Sequence, residues 1–228
     1  MKHQRIFAAF AAAVALVAMM PSAQAAQLGF YIGGQYGQVD KTASIRDLDV
    51  YTANDIFPGF GFVPETGTST LDDSYAGYGF IGGYRFTPHF AVEGGYLSLG
   101  TLKYRARASG SVEGVPVDAQ FNFDAETAGI AVSALGIWPL SYRWEVYGRG
   151  GVLFASNPVS QYYADIRGSL RGDYSETSYD AIAGIGTSLN FLEIYDLRLE
   201  YQKVFDAGHE RTSEGDVDMI SVGITVVF

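Results

Sequence analysis

The stretch from Leu197 to Phe228 constrains this chain most, because two runs of strict apolar/polar alternation flank a polar, glycine-containing loop and the second run stops on a terminal aromatic. In the first run Leu197, Leu199 and Tyr201 share a face, and Arg198, Glu200 and Gln202 share the other. In the second, Ile220, Val222, Ile224, Val226 and Phe228 oppose Ser221, Gly223 and Thr225. A period of two is that of a strand between unlike environments. In a soluble sandwich the apolar face is the core; in a membrane barrel it meets lipid and the polar face lines a lumen.

The N-terminus supplies the compartment. Lys2, His3 and Arg5 precede an unbroken apolar run from Ile6 to Met20, then Pro21 and the small residues Ala23 and Ala25 before Ala26, the pattern of a secretory signal peptide cleaved in the region of Ala23, Ala25 and Ala26. The run is too short to span a bilayer as a helix, so residues 1–25 are read as the signal and 26–228 as the folded part. Removing Lys2 and Arg5 takes the net charge from -10 to -12, an acidity that argues against nucleic acid as a partner. With no cysteine there is neither a disulfide framework nor a thiolate metal site.

Along the rest of the chain, eight alternating segments of about 10 to 15 residues can be drawn. Leu28, Phe30, Ile32 and Tyr36 alternate with Gly29, Tyr31, Gly33 and Gln35; Tyr78, Phe80 and Tyr84 with Gly77, Gly79 and Gly83; Phe90 and Val92 with Ala91 and Glu93. A fourth strand runs from about Phe121 to Trp138, a fifth carries Trp144 to Phe154, and a sixth carries Tyr179 to Phe191. The connections alternate long and short. Thr87-Pro88-His89, Pro139 to Tyr142 and Glu193 to Asp196 read as tight turns, whereas Asp40 to Asp73, Lys103 to Gln120 and Ser156 to Ser175 read as long loops. Short turns on one side, longer loops on the other and an even strand number describe an outer-membrane barrel, as do aromatics gathered at strand ends, such as Trp138, Trp144, Phe86, Phe90 and Phe191. The apolar cluster Ile56, Phe57, Phe60, Phe62 and Val63 reads as a self-packed loop patch.

Several segments also resemble a known family. Arg198-Leu199-Glu200-Tyr201-Gln202, Asp206-Ala207-Gly208-His209 and Met219 to Ile224 are similar to the seventh strand, last loop and eighth strand of the OmpA transmembrane domain. Gly83 to Pro88, Val92 to Tyr96 and Glu145 to Gly151 resemble its earlier strands in the same order. The resemblance implies an all-β, eight-stranded antiparallel up-and-down transmembrane barrel in the outer membrane of a diderm, Gram-negative bacterium. It implies lipid and lipopolysaccharide around the barrel, and a terminal aromatic, Phe228, that signals insertion to the barrel assembly machinery. The family's namesake continues into a peptidoglycan-binding domain; this sequence stops at Phe228, so tethering to peptidoglycan is not expected of it.

By the same alternation Arg85, Glu93, Glu145, Arg149, Arg198 and Glu200 face inward, into a barrel too narrow at eight strands for a wide channel, and should pair there. In the family the resemblance points to, a strand-three Glu exchanges partners between a strand-four Lys and a strand-seven Arg. Glu93 and Arg198 match, but the strand-four position falls near Ala134 and a strand-six acidic position near Ser188, so the expectation is a salt-bridge plug, with a narrow non-specific pore as the alternative. Small barrels can also be lipid A-modifying enzymes. Here His209 with Asp206, Glu210, Ser213 and Asp216 is the nearest thing to a catalytic set, and no catalytic site is expected of these spacings. The acids Asp72, Asp73, Asp206, Glu210, Asp216 and Asp218 have no ligand spacing, so neither a resident metal nor a cofactor is expected. The reading is a monomer with a structural and surface-interaction role, its loops contacting partners outside the cell.

Overall fold

The computed structural model describes residues 28–42, 45–72, 74–191, 194–207 and 215–228. Nine antiparallel strands are β1 (Gly29–Lys41), β2 (Phe62–Asp72), β3 (Ser74–Thr87), β4 (Phe90–Val112), β5 (Val115–Pro139), β6 (Trp144–Asp165), β7 (Gly168–Asn190), β8 (Tyr195–Ala207) and β9 (Gly215–Val227). Eight of them, all but β2, close into a ring in the order β4-β3-β1-β9-β8-β7-β6-β5, with β5 returning to β4. The resulting barrel has no free edge in its lower part. β2 stands outside the ring, hydrogen-bonded to the upper part of β4.

Around the ring, Phe30, Ile32, Phe80, Ile130, Val132, Ile185, Val222 and Ile224 point outward and are exposed, an apolar belt that fits hydrocarbon. Aromatics bound the belt. Tyr84, Phe86 and Phe90 pack against one another by the short turns, and Tyr78 with Tyr96 and Phe154 with Tyr179 do so at the other end.

Two stretches read as loops are strands. β4 runs on to Val112 and β5 begins at Val115, with only Glu113 and Gly114 between them, both at positive φ (52° and 81°) as a type I′ turn requires. β6 likewise reaches Asp165 and β7 starts at Gly168, with the Asp165 carboxylate accepting from the Arg167 backbone N–H at 2.8 Å to close the turn. Alternation alone hides these hairpins because the dry face changes sides above the belt. In the belt apolar side chains face out; above it Leu102, Tyr104, Ala106 and Ala108 face in, while Lys103, Arg105 and Arg107 alternate outward between them. The reversal on β4 coincides with a register shift between Ser98 and Thr101, where Gly100 takes φ +79°.

The stretch 40–73 is not an unstructured loop either. It contains a short helix (Ile45–Tyr51), a π-helical turn (Thr52–Ile56), a last helical turn (Phe57–Gly59) and β2. Phe57 and Phe62 are buried with Leu102, Tyr104, Phe121, Phe123, Val159 and Tyr163, so the aromatic patch packs on the inner face of the tall hairpins and not only on itself. Tyr104 Oη donates to Asp49 Oδ1 at 2.7 Å and the Phe60 ring stacks on Tyr163 at 4.0 Å, which holds the helical segment across that face. Above the belt, then, β2, β4, β5, β6 and β7 form a one-sided upright sheet with a helical lining.

Candidate functional site in the barrel lumen

Strand register places inward residues of neighbouring strands side by side, and in the middle of the lumen it does so twice in the same way. Across β1, β3, β4 and β5 the row is Tyr31, Gly83, Glu93, Ser133. Across β6, β7, β8 and β9 it is Tyr147, Gly186, Glu200, Ser221. Each glycine is what lets its tyrosine lie flat. A Cβ on Gly83 would stand 2.4 Å from the Tyr31 ring, and one on Gly186 2.4 Å from the Tyr147 ring. Each tyrosine thereby reaches over its glycine to the carboxylate beyond, Tyr31 Oη donating to Glu93 Oε1 and Tyr147 Oη to Glu200 Oε2, both at 2.8 Å.

Two arginines tie the halves together. Arg198 Nη1 donates to Glu93 Oε1 at 2.5 Å, Arg149 Nη2 bonds the other Glu93 oxygen, and Arg149 Nε lies 2.9 Å from Glu200 Oε1 as an ionic contact without hydrogen-bond alignment. The Arg198 guanidinium also sits over the rings of Tyr31 and Tyr147, at 5.1 and 5.4 Å. Two cations and two anions make the layer neutral, and Glu93 and Glu200 are each only 2% exposed. Desolvating four charges is tolerable only with this density of partners.

Nearer the short turns Arg85 binds Glu145 through Nη1 and Nη2, at 3.1 and 2.9 Å, and donates to the Pro88 carbonyl at 2.6 Å. The six inward charges read from the sequence are therefore placed as a four-residue layer and a separate pair below it. Tyr31 and Tyr147 complete the layer and are not among those six, although alternation puts Tyr31 on the inward face with Gly29 and Gly33. The inward residue of β5 beside Glu93 is Ser133, with Ala134 exposed on the outer face; no cation stands there.

Above the ionic layer the lumen is not polar, as simple alternation would have it. Val39, Leu97, Leu99, Leu153, Ile182, Val204, Val217 and Met219 fill it as one apolar cluster. At its upper rim Lys41 faces Asp180, and Asn157, Ser178 and Asp180 form a hydrogen-bonded chain with 2.9 Å links, a buried polar group the sequence did not single out. A pocket of about 10 Å³ beside Glu93, Ser133 and Arg149 has room for no more than about one water.

The other sequence-derived positions lie apart. Phe228 directly follows β9, its backbone N–H donating to the Phe30 carbonyl at 2.9 Å and its ring exposed. Ala23, Ala25, Ala26, Asp73, His209, Glu210 and Ser213 lie outside the described residues. Asp216 is taken by Lys203 at 2.6 Å and Asp218 accepts from Tyr201 Oη at 2.6 Å. Among the described residues no group of three His or acidic side chains could hold a metal.

Known proteins give the same architecture a family. The model of the OmpA-like transmembrane domain matches residues 25–228. Outer membrane protein A of Klebsiella aerogenes is 28% identical over 225 residues, covering 96% of this chain and 55% of that protein; its counterpart in Klebsiella pneumoniae is 28% identical over 175 residues, covering 75% and 46%. The chain thus spans about half the length of the curated relatives it matches. Among solved structures, Neisserial surface protein A aligns with a TM-score of 0.47 and 15% identity over 88% of this chain and 97% of that one. The N-terminal β-barrel domain of Pseudomonas aeruginosa OprF aligns with 0.44 and 13% over 88% and 98%. With a family model covering the whole folded part and eight strands closed in a ring, the chain belongs to the OmpA-like transmembrane domain family and is a β-barrel of the Gram-negative outer membrane.

Proposed function

We propose that this barrel is a closed scaffold that braces the outer membrane and carries an upright sheet for contacts at the cell surface. The observation that carries the reading is the filling of the lumen by two unlike layers. An ion attempting to pass has to displace the Glu93–Arg149–Arg198–Glu200 layer and then cross the apolar cluster around Leu153 and Met219, and an apolar constriction excludes water even where a cation could be coordinated below it. A partner-exchange gate at Glu93 lacks its second cation on β5, where Ser133 stands. Phe228, exposed at the end of β9, serves as the insertion signal for the assembly machinery, and lipopolysaccharide surrounds the belt.

Reconstitution of the mature chain into planar bilayers tests this. The expected result is no reproducible single-channel opening, for the wild type and also for Glu93→Ala, since the apolar layer stays in place. Regular channels whose conductance changes with Glu93→Ala would establish the pore reading instead. A role as a lipid A-modifying enzyme is tested separately: release or transfer of acyl chains by the purified protein, lost on His209→Ala, would replace the scaffold reading.

A further inference from the structure

We propose that the upper half of β7 is a self-complementary sheet edge through which two copies of this chain, standing in facing membranes, pair antiparallel. The inference rests on the surface-contact reading above but not on the closed lumen, so conductance does not bear on it.

β6 pairs β7 along its whole length, from Asp165 opposite Gly168 down to Trp144 opposite Leu189, with no register shift. On the far side, β8 pairs β7 only from Ile182, opposite Val204, downward. Among the described residues, 168–181 therefore have a strand on one side alone, and Gly168 to Ser175 are exposed one after another on both faces. Such an edge is a template for another strand. The sheet's other free edge, β2, carries Pro64 and a register break between Pro64 and Thr66, both of which discourage strand addition. Upper β7 has neither device.

Identical strands that pair antiparallel through the same edge must be related by a twofold axis perpendicular to the sheet, and residues set opposite each other must then lie on the same face. Only registers centred on a residue satisfy this. Centring on Arg171 or on Asp173 sets a charge against its own copy. Centring on Gly172 sets Arg171 against Asp173 of the second copy and the reverse, two ion pairs on the outer face, and Leu170 against Tyr174 of the second copy twice on the inner face. Serines 169 and 175 meet beyond them. Arg171 and Asp173 already pair within the strand at 3.1 Å, both well exposed, so the doubled contact makes a four-charge square in which each charge has an opposite one along its own strand and another across the seam. Leu170, 59% exposed, gains cover, and at Gly172 no atom lies within 4 Å of where a Cβ would be, so the axis is open.

The strands stand up from the belt, so the twofold axis lies roughly in the membrane plane and the second barrel points the opposite way. Gly172 is seven residues past the girdle residue Tyr179, about 23 Å along the strand at ~3.3 Å per residue. Pairing draws two membranes to roughly twice that distance, less the strand tilt, so long lipopolysaccharide chains would hold the copies apart.

The mature chain in phosphatidylcholine vesicles free of lipopolysaccharide provides the test, with clustering followed by light scattering and folding checked by the heat-induced gel shift. Wild-type vesicles are expected to cluster. Arg171→Asp and Asp173→Arg vesicles should each cluster at least tenfold more slowly, an equal mixture of the two should recover about half the wild-type rate, because only unlike vesicles pair, and the double swap in one chain should recover it fully. Since the chain has no cysteine, Gly172→Cys should form an oxidised dimer while Thr177→Cys does not. Wild-type vesicles that stay dispersed, single charge variants that cluster like wild type, or a mixture that fails to recover would each overturn the proposal.

Discussion

At the scale of single residues, the lumen layer is a case of charges stable only in company. Glu93 accepts from Tyr31, Arg149 and Arg198, so Glu93→Ala leaves two buried guanidinium groups short of an anion. The expected cost is about 3–5 kcal/mol, read as a lower urea midpoint for unfolding in detergent. Tyr31→Phe removes one neutral donor from a carboxylate that keeps both arginines, and should cost only about 1 kcal/mol in the same assay. Gly83→Ala should cost more than Tyr31→Phe although it adds a single methyl, because that methyl displaces the Tyr31 ring; Gly186→Ala should do the same to Tyr147. The charges were legible in the sequence because alternation assigns each residue a face. Their partners were not, because the tyrosine–glycine–glutamate–serine rows exist only after register sets four strands side by side.

At the scale of elements, the tall hairpins depend on their tips. Asp165 accepts from Arg167 through its backbone and side chain and from Tyr163 Oη at 2.9 Å. The hydrogen bonds from Arg167 hold its carboxyl down to about 2, below the ordinary range. Because the folded value lies below the unfolded one, the stabilisation is complete above about pH 4 and is lost as the pH falls towards 2. Amide exchange at residues 163–170, corrected for its intrinsic pH dependence, should accelerate across that window, and in Asp165→Asn it should be fast throughout. At the neighbouring tip Glu113 holds φ 52° without being glycine, so Glu113→Asn should leave the fold unchanged and raise the unfolding midpoint slightly. These hairpins escaped the sequence reading for one reason. Lys103, Arg105 and Arg107 look like a polar loop unless their partners Leu102, Tyr104 and Ala106 are credited to an inner face, and the face that is dry changes sides at the top of the belt.

At the scale of the whole molecule, the chain builds a ring that lipid surrounds and, above it, an upright half-cylinder of β2 and the tall hairpins that water surrounds. The ring was legible from strand count, aromatic ends and turn lengths; the half-cylinder was hidden in what looked like loops. A closed ring should migrate faster on a gel before boiling than after it. The reversal of faces on β4 also bears on how such a protein can change in length. Two residues added to both arms of the β4–β5 hairpin, above Gly100, would lift its tip and leave every inner side chain inside. One residue added to the β4 arm alone would turn Leu102 and Tyr104 outward and Arg105 and Arg107 in. Surface variation in proteins built this way should therefore accumulate in even steps, and the ionic layer at Glu93, on the far side of the bulge, should register none of it.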